Sequence, residues 1–99
     1  MQKVRTAHRT WDSASMDYKI THQKAASNVF VSHALLDMFT KLIDEGVSLD
    51  AKLQNADEQY RQTGELDVAG MQEHIKSLEA LKVKAKLTQG KINTLTDGQ

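Results

Sequence analysis

The four histidines are the side chains of this 99-residue sequence best suited to hold a metal ion or to move a proton near neutral pH. They stand at His8, His22, His33 and His74, and no two of them are three or four residues apart. A metal site needs three or four converging donors, and no His-Glu-x-x-His motif surrounds them. We expect His33 to be partly buried on an apolar helix and hydrogen-bonded to a carbonyl or carboxylate, and His74 to be a polar member of a helix seam, either fixing its register or lying at its wet edge. The sequence predicts no metal site.

The acidic residues stand close together at three places, Asp44 with Glu45, Asp57 with Glu58, and Glu65 near Asp67. Acid–base catalysis needs carboxylates that are desolvated in a cleft, whereas these positions fall at predicted helix ends and on polar helix faces. The chain has no glycine-rich phosphate loop and no nucleophile motif, and it has no cysteine. We therefore predict a protein that is not an enzyme, with no catalytic residue and no cofactor.

The overall charge favours no particular class of partner, because 13 basic residues balance 13 acidic ones. No apolar run reaches the roughly 20 residues of a membrane span, and we expect no signal peptide because no apolar core follows the basic start. The compartment stays open between the cytoplasm and a secreted or assembled complex.

The chain contains no proline, which favours long uninterrupted helices. Its most apolar stretch is residues 29–43, where Asp37 and Lys41 are the only charges. The pattern predicts a basic N-terminal arm over residues 1–12, either flexible or short-helical, and a single helical domain over residues 13–99. An apolar stripe that starts at Met16 and Ile20 predicts a first helix from about residue 15 to residue 45, with Gly46 as its C-terminal cap.

Two further helices complete the predicted architecture. A short one is expected from Ser48 to Thr63, ending at Gly64, and a long one begins within residues 65–68. The last helix has a heptad seam weakened at its centre by Ala85 and Thr88; its members are Met71, His74, Leu78, Leu81, Ala85, Thr88, Ile92 and Leu95. The predicted fold is all-α: an elongated helical hairpin or three-helix protein with coiled-coil-like packing, in which a short helix joins two long ones.

Helix length suggests what the protein does. Two helices of about 30 residues are each about 45 Å long, which is more than the diameter of a compact domain of this size. The short middle helix would not cover them, so apolar surface would remain for a second copy or a protein partner. We expect this interface to use large apolar side chains: Trp11, Phe30, Leu35, Phe39, Leu42, Leu78, Leu81, Ile92 and Leu95.

The basic arm offers a different function. Lys3, Arg5 and Arg9 precede Trp11, and such an arm could hold phosphates while the indole stacks on a base. A small nucleic-acid-associated regulator is therefore the alternative to a helical interaction or assembly subunit.

The predicted plan of long, short and long helices resembles that of several small bacterial assembly proteins. These are the needle and inner-rod subunits of type III secretion systems, their helical chaperones, and phage tail or adaptor subunits. Residues 71–95 have the amphipathic, glutamine- and lysine-rich texture of such helices. The likeness is one of architecture and size; it implies a structural subunit, an adaptor or a chaperone.

Overall fold

Three helices of similar length form an elongated bundle. The computed structural model describes the backbone of residues 2–97 and the side chains of residues 3–97. Helix α1 spans Gln2–Ala26, α2 spans His33–Thr63 and α3 spans Val68–Asp97, with no strand among the described residues. Each helix packs against the other two, and the bundle measures 54 × 18 × 18 Å. The prediction of an all-α three-helix protein is confirmed, but the short middle helix is wrong, because α2 has 31 residues.

Helix α1 begins at Gln2, so the helix start predicted near residue 15 is wrong. Val4, Trp11, Tyr18 and Ala25 are all buried and stand seven residues apart, so they form one seam of the helix. The predicted stripe through Met16 and Ile20 lies instead on the exposed side. Residues 2–12, predicted as an arm, are therefore the first turns of a packed helix; Met1 lies outside the described residues.

The long first helix predicted over residues 15–45 is divided in two by residues 27–32. The Asn28 side-chain oxygen accepts a hydrogen bond from the Phe30 amide at 2.9 Å, which forms a local turn. Ser32 then caps α2: its φ of −70° and ψ of 151° are extended, and its hydroxyl accepts from the Leu35 amide at 3.2 Å. The Asn28 and Ser32 side chains therefore accept hydrogen bonds from backbone amides that would donate to backbone carbonyls if the helix were continuous.

Gly46 lies inside α2 and does not end a helix, contrary to the prediction. A Cβ atom at this position would come within 3.0 Å of three atoms of the Trp11 ring. The indole therefore packs directly on the backbone of α2, and only glycine leaves room for it. Because the helix continues, the predicted new start at Ser48 is wrong as well.

The remaining helix ends agree with the sequence. Gly64 has a left-handed φ of 73°, and its N–H donates to the Tyr60 carbonyl at 2.8 Å, so the predicted C-terminal cap is confirmed. The Asp67 carboxylate accepts from the Gly70 amide at 3.0 Å and caps α3 at Val68. The end of α3 was predicted to include Gly98, which lies outside the described residues.

The core is a column of buried side chains from all three helices. Phe39, Leu53 and Ile92 are the largest fully buried ones. The ring of Tyr18 lies between Trp11 and Phe39, with centroid distances of 6.0 and 5.8 Å. The seam predicted for α3 is buried at Met71, Leu78, Leu81, Ala85, Thr88 and Ile92, half-buried at His74 and exposed at Leu95.

The resemblance to secretion and phage subunits rested on a short helix between two long ones. The three observed helices have 25, 31 and 30 residues. The observed plan therefore differs from the one that suggested the likeness.

Candidate interaction surfaces

One polar cluster links α1 to α2 inside the bundle. Asp50 is only 8% exposed, and its two carboxylate oxygens lie 2.9 and 2.8 Å from Nδ1 of His8. The Gln54 side-chain amide donates to the same carboxylate at 2.9 Å. A buried carboxylate needs such donors because it has lost its water. The cluster joins the two helices, and no local sequence pattern indicates it because His8 and Asp50 are 42 residues apart.

The other histidines are separate from this cluster and from one another. His22 lies on α1 with Nε2 at 3.0 Å from the Thr40 hydroxyl of α2, His33 is exposed at the start of α2, and His74 is half-buried on α3. Among residues 2–97, no three His, Asp or Glu side chains converge as the ligands of a metal ion would. The partial burial predicted for His33 is wrong, because the residue stands at the exposed first position of α2; the role predicted for His74 stays a prediction.

Tyr18 is a buried titratable side chain at the α1–α3 contact. Its hydroxyl donates to the Lys82 carbonyl at 3.1 Å. Burial raises the pKa of the Tyr18 phenol above its usual value of 10.0, and the neighbouring Asp17 carboxylate raises it further. A neutral phenol that donates one hydrogen bond to the backbone joins two helices; nothing beside it forms a reaction site.

An open groove of about 1080 Å³ runs between the first halves of α1 and α3. Its apolar part is formed by Ala7, Trp11, Ile75 and Leu78, and these side chains are already buried or half-buried by the bundle. Its rim carries both signs of charge: Lys3, Glu73, Lys76, Glu79 and Lys82. The groove therefore offers little free apolar surface and no single electrostatic preference.

The residues predicted at an interface fall into three groups. Most are buried within one chain: Trp11, Phe39, Leu78, Leu81 and Ile92. Leu35 and Leu42 are half-buried. Phe30, in the α1–α2 connection, is 61% exposed, and Leu95 is 39% exposed. Contact of these residues with another protein stays a prediction. Of the nine, only Phe30 and Leu95 are exposed to solvent in the folded chain.

Two exposed apolar pairs were missed as surface features by the sequence reading. Met16 and Ile20 form a pair on α1, exposed to 60% and 50%. Val83 and Leu87 form a pair on α3, exposed to 60% and 65%. The four-residue spacing places each pair on one helix face. The signal that could have found them is the heptad register, since neither pair falls on the buried seam of its helix.

The two pairs have different electrostatic surroundings. Asp12, Asp17 and Lys19 stand near the α1 pair, so both signs are present. Around the α3 pair, one acidic residue, Glu79, lies one turn before Val83, and residues 80–96 contain four lysines and no acidic residue. Three of these lysines are exposed: Lys84, Lys86 and Lys91. Charge therefore distinguishes the α3 pair from the α1 pair.

The basic residues of the predicted arm are exposed on the first turns of α1. Arg5 and Arg9 are four residues apart and share one helix face, and Lys3 lies at the rim of the groove. Trp11 is 2% exposed, so its ring does not offer a face on which a base could stack.

No protein-family model matches the sequence, and neither a curated protein nor a solved structure matches the chain. None of the three helices, over the residues that the structure describes, has a stretch long and apolar enough to cross a membrane.

Proposed function

We propose that this protein is a non-enzymatic helical subunit that works by packing an outer helix face against another protein. The observation that carries the proposal is the exposed Val83–Leu87 pair among lysines on α3. Isolated exposed apolar residues are common on soluble proteins. Two adjacent ones, more than half exposed on a helix whose other face already fills the core, are typical of a contact surface.

The bundle does not need this pair for its own core. Leu81, Ala85 and Thr88 of the same turns are buried against α1 and α2. At about 100° per residue, Val83 lies opposite Leu81 and Ala85 on the helix. The exposed pair is therefore free to contact a protein while the bundle stays folded.

The test is a stoichiometric complex that depends on this surface. The tagged protein is purified from its own source, and the mass of the assembly is measured by size-exclusion chromatography with light scattering over a range of dilutions. A complex of fixed stoichiometry that is lost in the Val83→Ser, Leu87→Ser variant supports the proposal. The matched control is Met16→Ser, Ile20→Ser, which removes a similar exposed pair from α1. A monomer at every concentration, with no stoichiometric protein bound, would refute it.

The nucleic-acid alternative rests on one observation, the exposed Arg5 and Arg9 on a single face of α1. Deletion of residues 1–12 is not a clean test, because it removes Val4 and Trp11 from the core. Charge neutralisation is cleaner: Arg5→Gln with Arg9→Gln should abolish a salt-sensitive gel shift. The absence of any shift at about 50 mM salt ends this alternative, because phosphate contacts are strongest at low ionic strength.

A further inference from the structure

The outer face of α3 between residues 80 and 94 has the arrangement of a helix-docking surface. Ala80, Val83, Leu87, Gly90 and Thr94 alternate spacings of three and four, so they form one row along the helix. All five are exposed, while the opposite face of α3 is buried against α1 and α2. We call these five residues the outer row.

The outer row is apolar at its centre and small towards its ends. Val83 and Leu87 stand at the centre, with 60% and 65% of each exposed. A Cβ atom built on Gly90 would meet nothing within 4 Å, so the space above it is open. A second helix can therefore approach the backbone closely at Gly90 while it covers the two large side chains.

Lysines flank the outer row on both sides. At about 100° per residue, Lys84 and Lys91 lie on one side of the row, and Lys86 lies on the other, where Glu79 precedes it by seven residues. All three are exposed, and within residues 3–97 none of them lies within salt-bridge distance of a carboxylate. Their charges are therefore available to a partner.

A second copy of this chain fits the outer row poorly. Two outer rows packed together would bring lysines against lysines, and like charges at an interface oppose association. Helix α2 has six acidic residues against three basic ones, but its most exposed apolar residues, Met38 and Val47, are nine positions apart. That spacing puts them on opposite sides of the helix, so α2 offers no acidic face with an apolar centre.

An anionic membrane fits poorly as well. Helices that lie in the membrane interface bury a wide apolar face with large side chains such as Trp, Phe and Leu. The outer row has one leucine, one valine and no aromatic residue. Its apolar width suits a single helix.

We propose that the outer row of α3 binds an acidic amphipathic helix of a partner protein. The partner's apolar residues cover Val83 and Leu87, and its Glu or Asp residues pair with Lys84, Lys86 and Lys91. The row spans about 21 Å, which corresponds to a partner helix of about 15 residues. This inference rests on the proposed function and names the chemistry of the partner.

The experiment titrates the isotope-labelled full chain with three synthetic helical peptides and follows its backbone amides by NMR. The peptides share one row of leucines and differ only in the flanking residues, which are Glu, Gln or Lys. We expect the Glu peptide to shift amides within residues 79–95 and to bind about tenfold more tightly than the Gln peptide, since three exposed ion pairs contribute modestly each. We expect no measurable binding of the Lys peptide.

Variants of the chain separate the two parts of the surface. Lys84→Gln, Lys86→Gln and Lys91→Gln together should abolish the preference for the Glu peptide and the salt dependence of binding. Val83→Ser with Leu87→Ser should weaken all peptides, and the α1 control Met16→Ser with Ile20→Ser should leave the affinities unchanged.

Several results would overturn the inference. Equal affinity for the Glu and Lys peptides, or shifts centred on the α1–α3 groove, would remove it. So would concentration-dependent shifts of the same amides without peptide, which would identify a second copy, or binding to phosphatidylglycerol vesicles without binding to the peptides. If the native stoichiometric complex forms and is lost in the Val83→Ser, Leu87→Ser variant, but the Glu peptide binds no more tightly than the Gln peptide, this inference fails while the proposed function stands.

Discussion

Replacing Gly46 by alanine tests the packing of α1 on α2 at its tightest point. Alanine is favoured over glycine within a helix by about 1 kcal/mol, so a free position would be stabilised. At Gly46 the new methyl group would lie within 3.0 Å of three Trp11 ring atoms. The indole must then leave its site, and disturbing a buried Trp costs up to about 3–5 kcal/mol.

The clash with Trp11 should cost about 3 kcal/mol, and the higher helix propensity of alanine should offset about 1 kcal/mol of that cost. We therefore expect Gly46→Ala to lower the free energy of unfolding by about 2 kcal/mol. For a domain of this size that corresponds to a fall in Tm of roughly 10 °C. Thermal and urea unfolding followed by circular dichroism measure it. In a Trp11→Phe background the smaller ring leaves room for the methyl group, so the same substitution should cost less there.

The other glycines provide controls within the same chain. Gly90 lies inside α3 in open space, so Gly90→Ala should raise the stability by about 1 kcal/mol. Gly64 has a φ of 73° with nothing nearby, so Gly64→Ala should lower it by about 1 kcal/mol through backbone strain alone. A Gly46→Ala variant as stable as the wild type, alongside a stabilised Gly90→Ala variant, would show that Trp11 does not pack on α2 here.

Five further substitutions test other contacts by the same unfolding measurements. Leu78→Ala and Phe39→Ala should each cost about 3–5 kcal/mol, because both side chains are buried; a loss below about 1 kcal/mol would place either outside the core. His8→Ala should cost about 1 kcal/mol by leaving Asp50 with one side-chain donor fewer, and zero coupling in a cycle with Asp50→Asn would contradict the contact. Ser32→Ala should cost about 1 kcal/mol through the lost α2 cap, and an unchanged Tm would argue against it. Burial raises the pKa of Tyr18 in the folded state, so the neutral phenol's contribution to the free energy of unfolding is complete below pH 10.0 and is lost as the pH rises through the higher folded pKa. Tyr18→Phe should reduce this loss of stability at alkaline pH. An unchanged dependence of stability on pH would refute the burial of the Tyr18 phenol.

The sequence predicted the helical class and most of α3 because these depend on local patterns. The seam of α3 has large apolar residues at regular spacing, and the caps at Gly64 and Asp67 carry their own signals. Helix α1 has the same regularity, but Val4 and Trp11 of its seam lie in the residues that were predicted as an arm. Only Tyr18 and Ala25 of the seam then remained in the predicted helix, where the strongly apolar Met16 and Ile20 define a competing stripe; the seven-residue spacing from Val4 identifies the buried one.

Gly46 marks the limit of local inference. A glycine after Asp44 and Glu45, followed by Val47 and Ser48, has every local feature of a helix end. Its actual role is set by Trp11, which is 35 positions away in the sequence and contacts it only after the bundle forms. The Asp50 cluster is similar, since a lone aspartate on a helix says nothing about a histidine in another helix.

The placement of small and large side chains links the fold to the proposed function. Close contacts inside the bundle are made in part by small residues, including Ala25, Gly46 and Ala85, which allow the helices to approach one another. Val83 and Leu87, by contrast, lie on the outside of the bundle. Polar helix-forming residues at these two positions would serve the fold of the bundle equally well. Exposed apolar side chains promote association, and valine is a weaker helix former than glutamine or lysine. A pair that contributes little to the fold, flanked by lysines that make no salt bridge within residues 3–97, is what the proposed contact with another protein requires.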